Sequence, residues 1–436
     1  MLPSAKSYSD LSKDELQKLY EGCKKQYDDY KSQGLNLDMS RGKPGADQLD
    51  LSMDLLNILE PGDYKASDGT DCRNYGGLDG IPEMKKIFAD LMEVKTEEIL
   101  VGGNASLTLM YESVCIQQNG NKSQNYQNSQ NGQNYQNSQN GKIKHLCPAP
   151  GYDRHFTIAE HFDIELIPIT MTQEGPDIAE IKKHIQDSAV TGIWCVPVYS
   201  NPQGIVYSDR VIKEMAALKP KSENFRIFWD NAYVAHALEG DPPKIANILR
   251  ECEKCGSYDM PIIFSSFSKI TFPGAGVCAM AASPNNLEKM KKLLFVQTIG
   301  PDKMNQLRHA RYFKDVKGVH SHMKKHSGIL APKFKAVTDA LTAKLKGKEI
   351  GTWIEPKGGY FISFDALPGT AQNIVTLCKE AGLIMTPAGA TYPYGKDPKD
   401  SNIRIAPTFP SLDQLKQAME LFCVAVELAA LEMLLN

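Results

Sequence analysis

No stretch of the 436 residues approaches the roughly 20 consecutive apolar positions that a membrane-spanning helix needs. A dominant charge is missing too. Lys and Arg number 49 against 52 Asp and Glu, a formal net charge of −3, so neither nucleic acid nor an anionic membrane has a broad electrostatic hold. The ten cysteines are scattered. Cys252 and Cys255 have CxxC spacing, but no second pair or nearby histidine completes a zinc site. No metal is expected, and a reduced, cytoplasmic setting is. Residues 1–20 include Asp10, Asp14 and Glu15 and no continuous apolar stretch, so neither a secretory nor a transit leader is expected. What is present, 42% hydrophobic and 23% charged residues, fits a globular chain with one large core or two packed domains.

One segment stands apart. QNYQNSQNG fills 124–132 and recurs at 133–141. With its flanks it offers almost nothing to a core, so 119–141 is expected to be a disordered surface insertion. Elsewhere short apolar runs at 99–101, 143–147, 164–169, 193–198, 226–229, 262–265 and 277–281 alternate with helical patterns at 106–118, 178–186 and 209–218. Several runs do not alternate polar with apolar, as expected of strands covered on both faces. That order predicts α/β architecture with a mainly parallel sheet. After about 310 the pattern changes: long helices flank an alternating stretch at 360–364, and an apolar helix over 412–435 closes the chain.

The chemistry-bearing residues follow the apolar runs. Ser265-Ser266-Phe267-Ser268-Lys269 ends one run. Ligands of open α/β sheets gather beyond the carboxyl ends of strands, where a lysine can form an imine and its neighbouring hydroxyls can bind a phosphate. On its own, Lys269 reads as a surface lysine. Asp230 and Tyr233, in Trp229-Asp230-Asn231-Ala232-Tyr233, end another run. A carboxylate there can hold a pyridinium nitrogen protonated, although alone it reads as a helix N-cap. Asn201-Pro202 is ordinary turn chemistry or an amide donor to a phenolate. Gly102-Gly103-Asn104-Ala105-Ser106 lies between a strand and a helix, where backbone amides suit a phosphate.

Together these pieces resemble fold type I pyridoxal-phosphate enzymes of the class I aminotransferase superfamily, over about 35–425. By that resemblance Asn104, Ala105 and Ser106 hold the phosphate with Ser266 and Ser268, Tyr152 stacks on the pyridine ring, and Asn201 and Tyr233 bind its phenolic oxygen. Asp230 pairs with the ring nitrogen, Lys269 carries pyridoxal 5'-phosphate as a Schiff base, and Arg404 grips the substrate α-carboxylate. Pro356–Phe361 resembles a small-domain motif. Arg73-Asn74-Tyr75-Gly76 resembles the segment whose tyrosine reaches the phosphate of a second subunit, which implies a homodimer with shared active sites.

Leu37–Pro44, Gln48–Ser52 and Lys269–Thr271 look like a bacterial-type aspartate aminotransferase subgroup related to the aminotransferase-like domains of MocR regulators. The resemblance implies a large domain with a mainly parallel seven-stranded sheet, over 75–311, a smaller α+β domain over 312–436, and an N-terminal part, 1–74, shared with the latter. One departure is plain: residues 270–280 hold no arginine for the phosphate.

The expected reaction is ping-pong transfer of an amino group from aspartate to 2-oxoglutarate, through Lys269. Gly42, Asn201 and Arg404 are expected on the substrate, with Arg41 or Lys303 as the second cation for a dicarboxylate. Alanine, aromatic or kynurenine-like donors, a Cβ lyase, or a non-catalytic sensor would keep most of the same residues. No nucleic-acid or membrane partner is expected.

Overall fold

The computed structural model describes residues 7–130 and 142–436, the side chains of 119–130 excepted. In chain order its strands are β1 (Leu37–Met39), β2 (Ile99–Val101), β3 (Lys144–Ala149), β4 (Glu165–Thr172), β5 (Gly175–Pro176), β6 (Val190–Cys195) and β7 (Arg226–Asp230). They continue with β8 (Pro261–Ser266), β9 (Cys278–Ala282), β10 (Gly351–Trp353), β11 (Ile362–Ala366), β12 (Leu383–Met385) and β13 (Asn402–Ile405). Eight form one sheet in the order β2-β9-β8-β7-β6-β3-β4-β5. The pairs β8–β7, β7–β6, β6–β3 and β3–β4 are parallel. Strand β9 is antiparallel to both its neighbours, so β2 runs the same way as β8. The carboxyl ends of β2, β3, β6, β7 and β8 therefore open along one edge, where ligands of such sheets collect.

The sequence implied seven strands. The eighth, β5, is a Gly-Pro pair antiparallel to β4, and two residues leave no apolar run to read.

Every residue of β6, β8 and β9 is buried because helices cover both faces. Those helices are started by side chains that take up orphan backbone amides: Asp177 for Ile178–His184, Ser208 for Asp209–Ala216 and Asn247 for Ile248–Lys254. A second unit holds the three-stranded antiparallel sheet β10-β11-β13 and the parallel pair β1–β12. Its closing helix Leu412–Leu435 begins in a capping box of Ser411 and Gln414. It packs between the helices Lys13–Ser32 and Val316–Leu345, so a helix near the start of the chain joins the C-terminal ones.

Two points refine or correct the sequence reading. Within the alternating stretch 360–364, β11 starts only at Ile362. Tyr360 and Phe361 follow a glycine pair that lies against the large sheet's loops instead. Gly359 N donates to His236 O at 2.9 Å, and a Cβ on Gly358 would stand 2.5 Å from that oxygen. The other concerns 119–141. The helix Ser106–Gln130 carries through its first twelve residues, since extending a formed helix gains a hydrogen bond for each residue fixed without a new nucleus. Residues 131–141 lie outside those described.

Candidate active site

Lys269 sits just beyond the end of β8, in a turn closed by Ile270 N and Thr271 N donating to Phe267 O at 2.9 and 2.8 Å. Its side chain is partly buried, with Nζ 5.4 Å from the ring centre of Tyr233 and 5.9 Å from that of Tyr360. Burial lowers the lysine's pKa; Asp230 opposes the shift and Arg404 adds to it. A neutral amine is favoured where a cation has little water to solvate it.

Asp230 is the last residue of β7 and is buried. Its Oδ2 lies 3.1 Å from His155 Nε2, while Oδ1 has no partner among the described residues. His155 is held in turn: it stacks on Trp194 at 4.6 Å and meets the edge of Tyr152 at 4.9 Å. Sequence reasoning missed His155. The available signal was its place three residues after Tyr152, within the first turn of Asp153–His161, a spacing that shares a helix face. A buried carboxylate oxygen left unpaired costs roughly 1–3 kcal/mol, so this position awaits a donor.

Asn201 and Arg404 show the same pattern. Arg404, on β13, is only 6% exposed. Its Nη1 donates to Asp153 Oδ1 at 3.0 Å and to Asn201 Oδ1 at 3.3 Å, and its guanidinium lies 4.7 Å from the centre of the Phe361 ring. Arg404 Nε and Asn201 Nδ2 are buried without partners among the described residues. A guanidinium with a free donor edge matches a carboxylate. Gly42 belongs to this arrangement through packing: a Cβ there would come within 2.4 Å of Phe361. Asp153, the residue after Tyr152, was another partner the sequence did not disclose.

Around the glycine-rich turn, Gly102 N donates to Cys278 O and Cys278 N to Gly103 O, both at 2.8 Å. Ala105 and Ser106 then open the helix Ser106–Gln130, whose first amides carry partial positive charge. Ser268 Oγ donates to Asn104 O at 2.8 Å, which ties the lysine turn to this loop and commits the hydroxyl hydrogen. Ser266 is buried at the end of β8. Tyr233 is buried, and its phenol is pushed well above its usual range, mainly by burial, so it stays protonated and can donate.

Three expected residues make no side-chain hydrogen bond or ion pair with this cluster. Tyr75 is 81% exposed, and Arg41 is also exposed. Lys303 is buried and donates to Gly76 O at 2.6 Å; with Tyr75 it lines a cavity of about 520 Å³ that includes Thr298–Pro301. Among the described residues no cluster of His, Cys, Asp or Glu suits a metal ion, and no helix is long and apolar enough to cross a membrane.

The aspartate amino-transferase family model matches residues 11–436. The chain belongs to that family. It is 43% identical to a Mycolicibacterium smegmatis protein provisionally called an aminotransferase, over 99% of both chains. It is 40% identical to an aspartate aminotransferase of Corynebacterium glutamicum, over 98% of both. A crystal structure of an aspartate transaminase from that organism superposes with a TM-score of 0.91 over 99% of both chains, at 40% identity. The fold also matches the Thermus thermophilus α-aminoadipate aminotransferase solved with N-(5'-phosphopyridoxyl)-L-leucine, at TM-score 0.70 and 17% identity, over 92% of this chain and 93% of that one.

The chain is thus a fold type I aminotransferase that uses pyridoxal 5'-phosphate, with amino acids and 2-oxo acids as substrates. The vacant valences fit that cofactor: Asp230 Oδ1 is an acceptor for a protonated ring nitrogen and Asn201 Nδ2 a donor for a phenolate.

Proposed function

We propose that this aminotransferase takes its amino group from L-aspartate and passes it to 2-oxoglutarate, with Lys269 as the cofactor's covalent anchor. The observation that carries the reading of the site is the convergence of Asp230 Oδ1, Asn201 Nδ2 and Arg404 Nε, all buried and unpartnered, around a lysine with a lowered pKa. The aspartate preference is supported by the C. glutamicum relative, similar over nearly the full length of both chains.

Each residue then has a task. Asp230, backed by His155, holds the ring nitrogen protonated. Tyr152 covers the ring face, and Tyr233 and Asn201 donate to the phenolic oxygen. Asn104, Ala105, Ser106, Ser266 and Ser268 surround the phosphate. When bound, the cofactor is an electron sink for the charge left at the substrate Cα. Arg404 takes the α-carboxylate through its free edge and so orients the Cα–H bond. The neutral amine of Lys269 removes that proton and later returns it, a transfer worth about 10²–10⁴ in rate.

The substrate's second carboxylate needs a further cation, and Arg41 and Lys303 are the candidates. Lys303 and Tyr75 serve a neighbouring site if two copies associate. The exposed Phe295, Val296 and Ile299, at 74%, 85% and 58%, support a homodimer that covers this rim. The same reading retains a small unit built from 1–74 and 312–436 around a large one over 75–311. It also retains a cytosolic setting, in keeping with ten cysteines that form no disulfide among the described residues.

The test is a panel of donors with 2-oxoglutarate, using the pyridoxal-phosphate-loaded protein. Aspartate is expected to show the highest kcat/KM, with oxaloacetate as product. A higher value for alanine, kynurenine or an aromatic donor overturns the specificity. Pyruvate and ammonia formed without any acceptor overturn transamination itself.

A further inference from the structure

Two motifs, Gln48–Ser52 and Pro356–Phe361, have so far been given no task. They meet at the backbone of Lys269, which Tyr360 reaches with Gln48 behind it. Gly45 N donates to Gln48 Oε1 at 3.2 Å, which fixes the amide so that Nε2 presents its hydrogens. One is directed to Tyr360 Oη at 2.9 Å and the other to His326 Nδ1 at 3.2 Å. Tyr360 passes its own hydrogen to the backbone carbonyl of Lys269 at 3.3 Å. His326 Nε2 lies 3.1 Å from His322 Nε2, and the same nitrogen of His322 lies 2.9 Å from the carbonyl of Ile270. His322 Nδ1 closes the chain on Tyr312 Oη at 3.2 Å, which donates to Leu51 O at 2.8 Å.

Gln48, His322, His326 and Tyr360 are all buried, so each ring tautomer is dictated by its neighbours. Because His326 Nδ1 accepts from Gln48, a neutral His326 carries its hydrogen on Nε2. That hydrogen points at a junction of His322 Nε2 and the Ile270 carbonyl. Ser52 Oγ stands 3.3 Å from the same His322 nitrogen, so two rings, one hydroxyl and one carbonyl meet at this junction. The pair faces Asp47 from the N-terminal segment, His236 from the loop after β7, and Lys325 from its own helix.

We propose that Gln48, Tyr360, His326 and His322 form a positioning relay that holds the backbone of Lys269 and Ile270 in register with the N-terminal segment. None of the four is a catalytic residue; they act through the lysine's seat. The role assigned to that lysine rests on the function proposed above, whereas the backbone restraint does not.

The experiment compares wild type with H326M, which removes both ring nitrogens, and with H326N, whose side chain keeps an acceptor near the Nδ1 position. Amide hydrogen exchange over 267–276 is measured without cofactor, and kcat, KM and the pH midpoint of the bound cofactor's absorbance band with it. In H326M, exchange over 267–276 should quicken about tenfold, kcat should fall about tenfold with KM for aspartate within twofold, and the midpoint should move. H326N should recover most of each change. Wild-type exchange and kcat in a folded H326M would overturn the relay, as would an H326N that behaves like H326M. If H326M does not fold, faster exchange in a folded Q48M supports the relay and unchanged exchange overturns it. A wild-type protein that transaminates nothing would sink the functional reading, while the exchange comparison would still decide the relay.

Discussion

The cleft at the strand ends and the rim around Tyr75 are made of opposite materials. In the cleft, polar atoms are buried and left without partners among the described residues: Asp230 Oδ1, Asn201 Nδ2 and Arg404 Nε. On the rim, apolar side chains stand in the open, Tyr75 at 81% and Val296 at 85%, while the buried cation Lys303 is satisfied by Gly76 of its own chain. Unpaired buried polar atoms are costly in an empty protein and become useful when a ligand supplies the missing half. Exposed apolar groups cost little singly and become useful when a second surface covers them. One region is unfinished chemically, the other sterically.

Substitutions separate the two. K269A should lower the rate of amino-group transfer by at least about 10⁴-fold, since anchor and proton carrier go together; a pre-steady-state measurement with aspartate checks this. D230A should cost roughly 10²–10³-fold in kcat, the usual scale for losing one pre-set electrostatic partner. It should also weaken cofactor retention on dialysis, and an unchanged kcat would mean that Oδ1 faces no ligand. R404K keeps the charge but loses the planar fork, so KM for aspartate should rise about 10–100-fold with kcat affected less. V296E, at the rim, should leave the rate at high protein concentration within about tenfold. It should also raise the monomer fraction seen by sedimentation, as expected when a charge is buried at an apolar contact. A V296E protein that stays associated with full activity would place the contact face elsewhere.

The sequence disclosed the cleft far better than its supports. Lys269, Asp230 and Asn201 each follow an apolar run, so their places at or beyond the carboxyl ends of strands could be read locally. The runs themselves blurred at their ends. The reading at 193–198 captured the end of β6 but missed its start at Val190. It ran on through Val196 and Val198, which are buried against the second unit rather than within the sheet's own clusters. The helix over 412–435 was legible to the residue because Ser411 caps it and its apolar pattern is unbroken. The supports were not legible, because they join residues far apart in the chain. Asp153 meets Arg404 across 251 positions, and Gln48 meets His326 across 278. No local period carries such pairings.

The most direct test of the central claim is the half-reaction alone. Purified protein loaded with pyridoxal phosphate is mixed with excess L-aspartate and no 2-oxo acid. The account predicts that the absorbance of the lysine-bound cofactor converts fully to that of its amino form, with one oxaloacetate released per subunit. A protein that shows no lysine-bound absorbance even after saturation with pyridoxal phosphate, or that shows it and leaves aspartate and every other amino acid unchanged, would contradict the account.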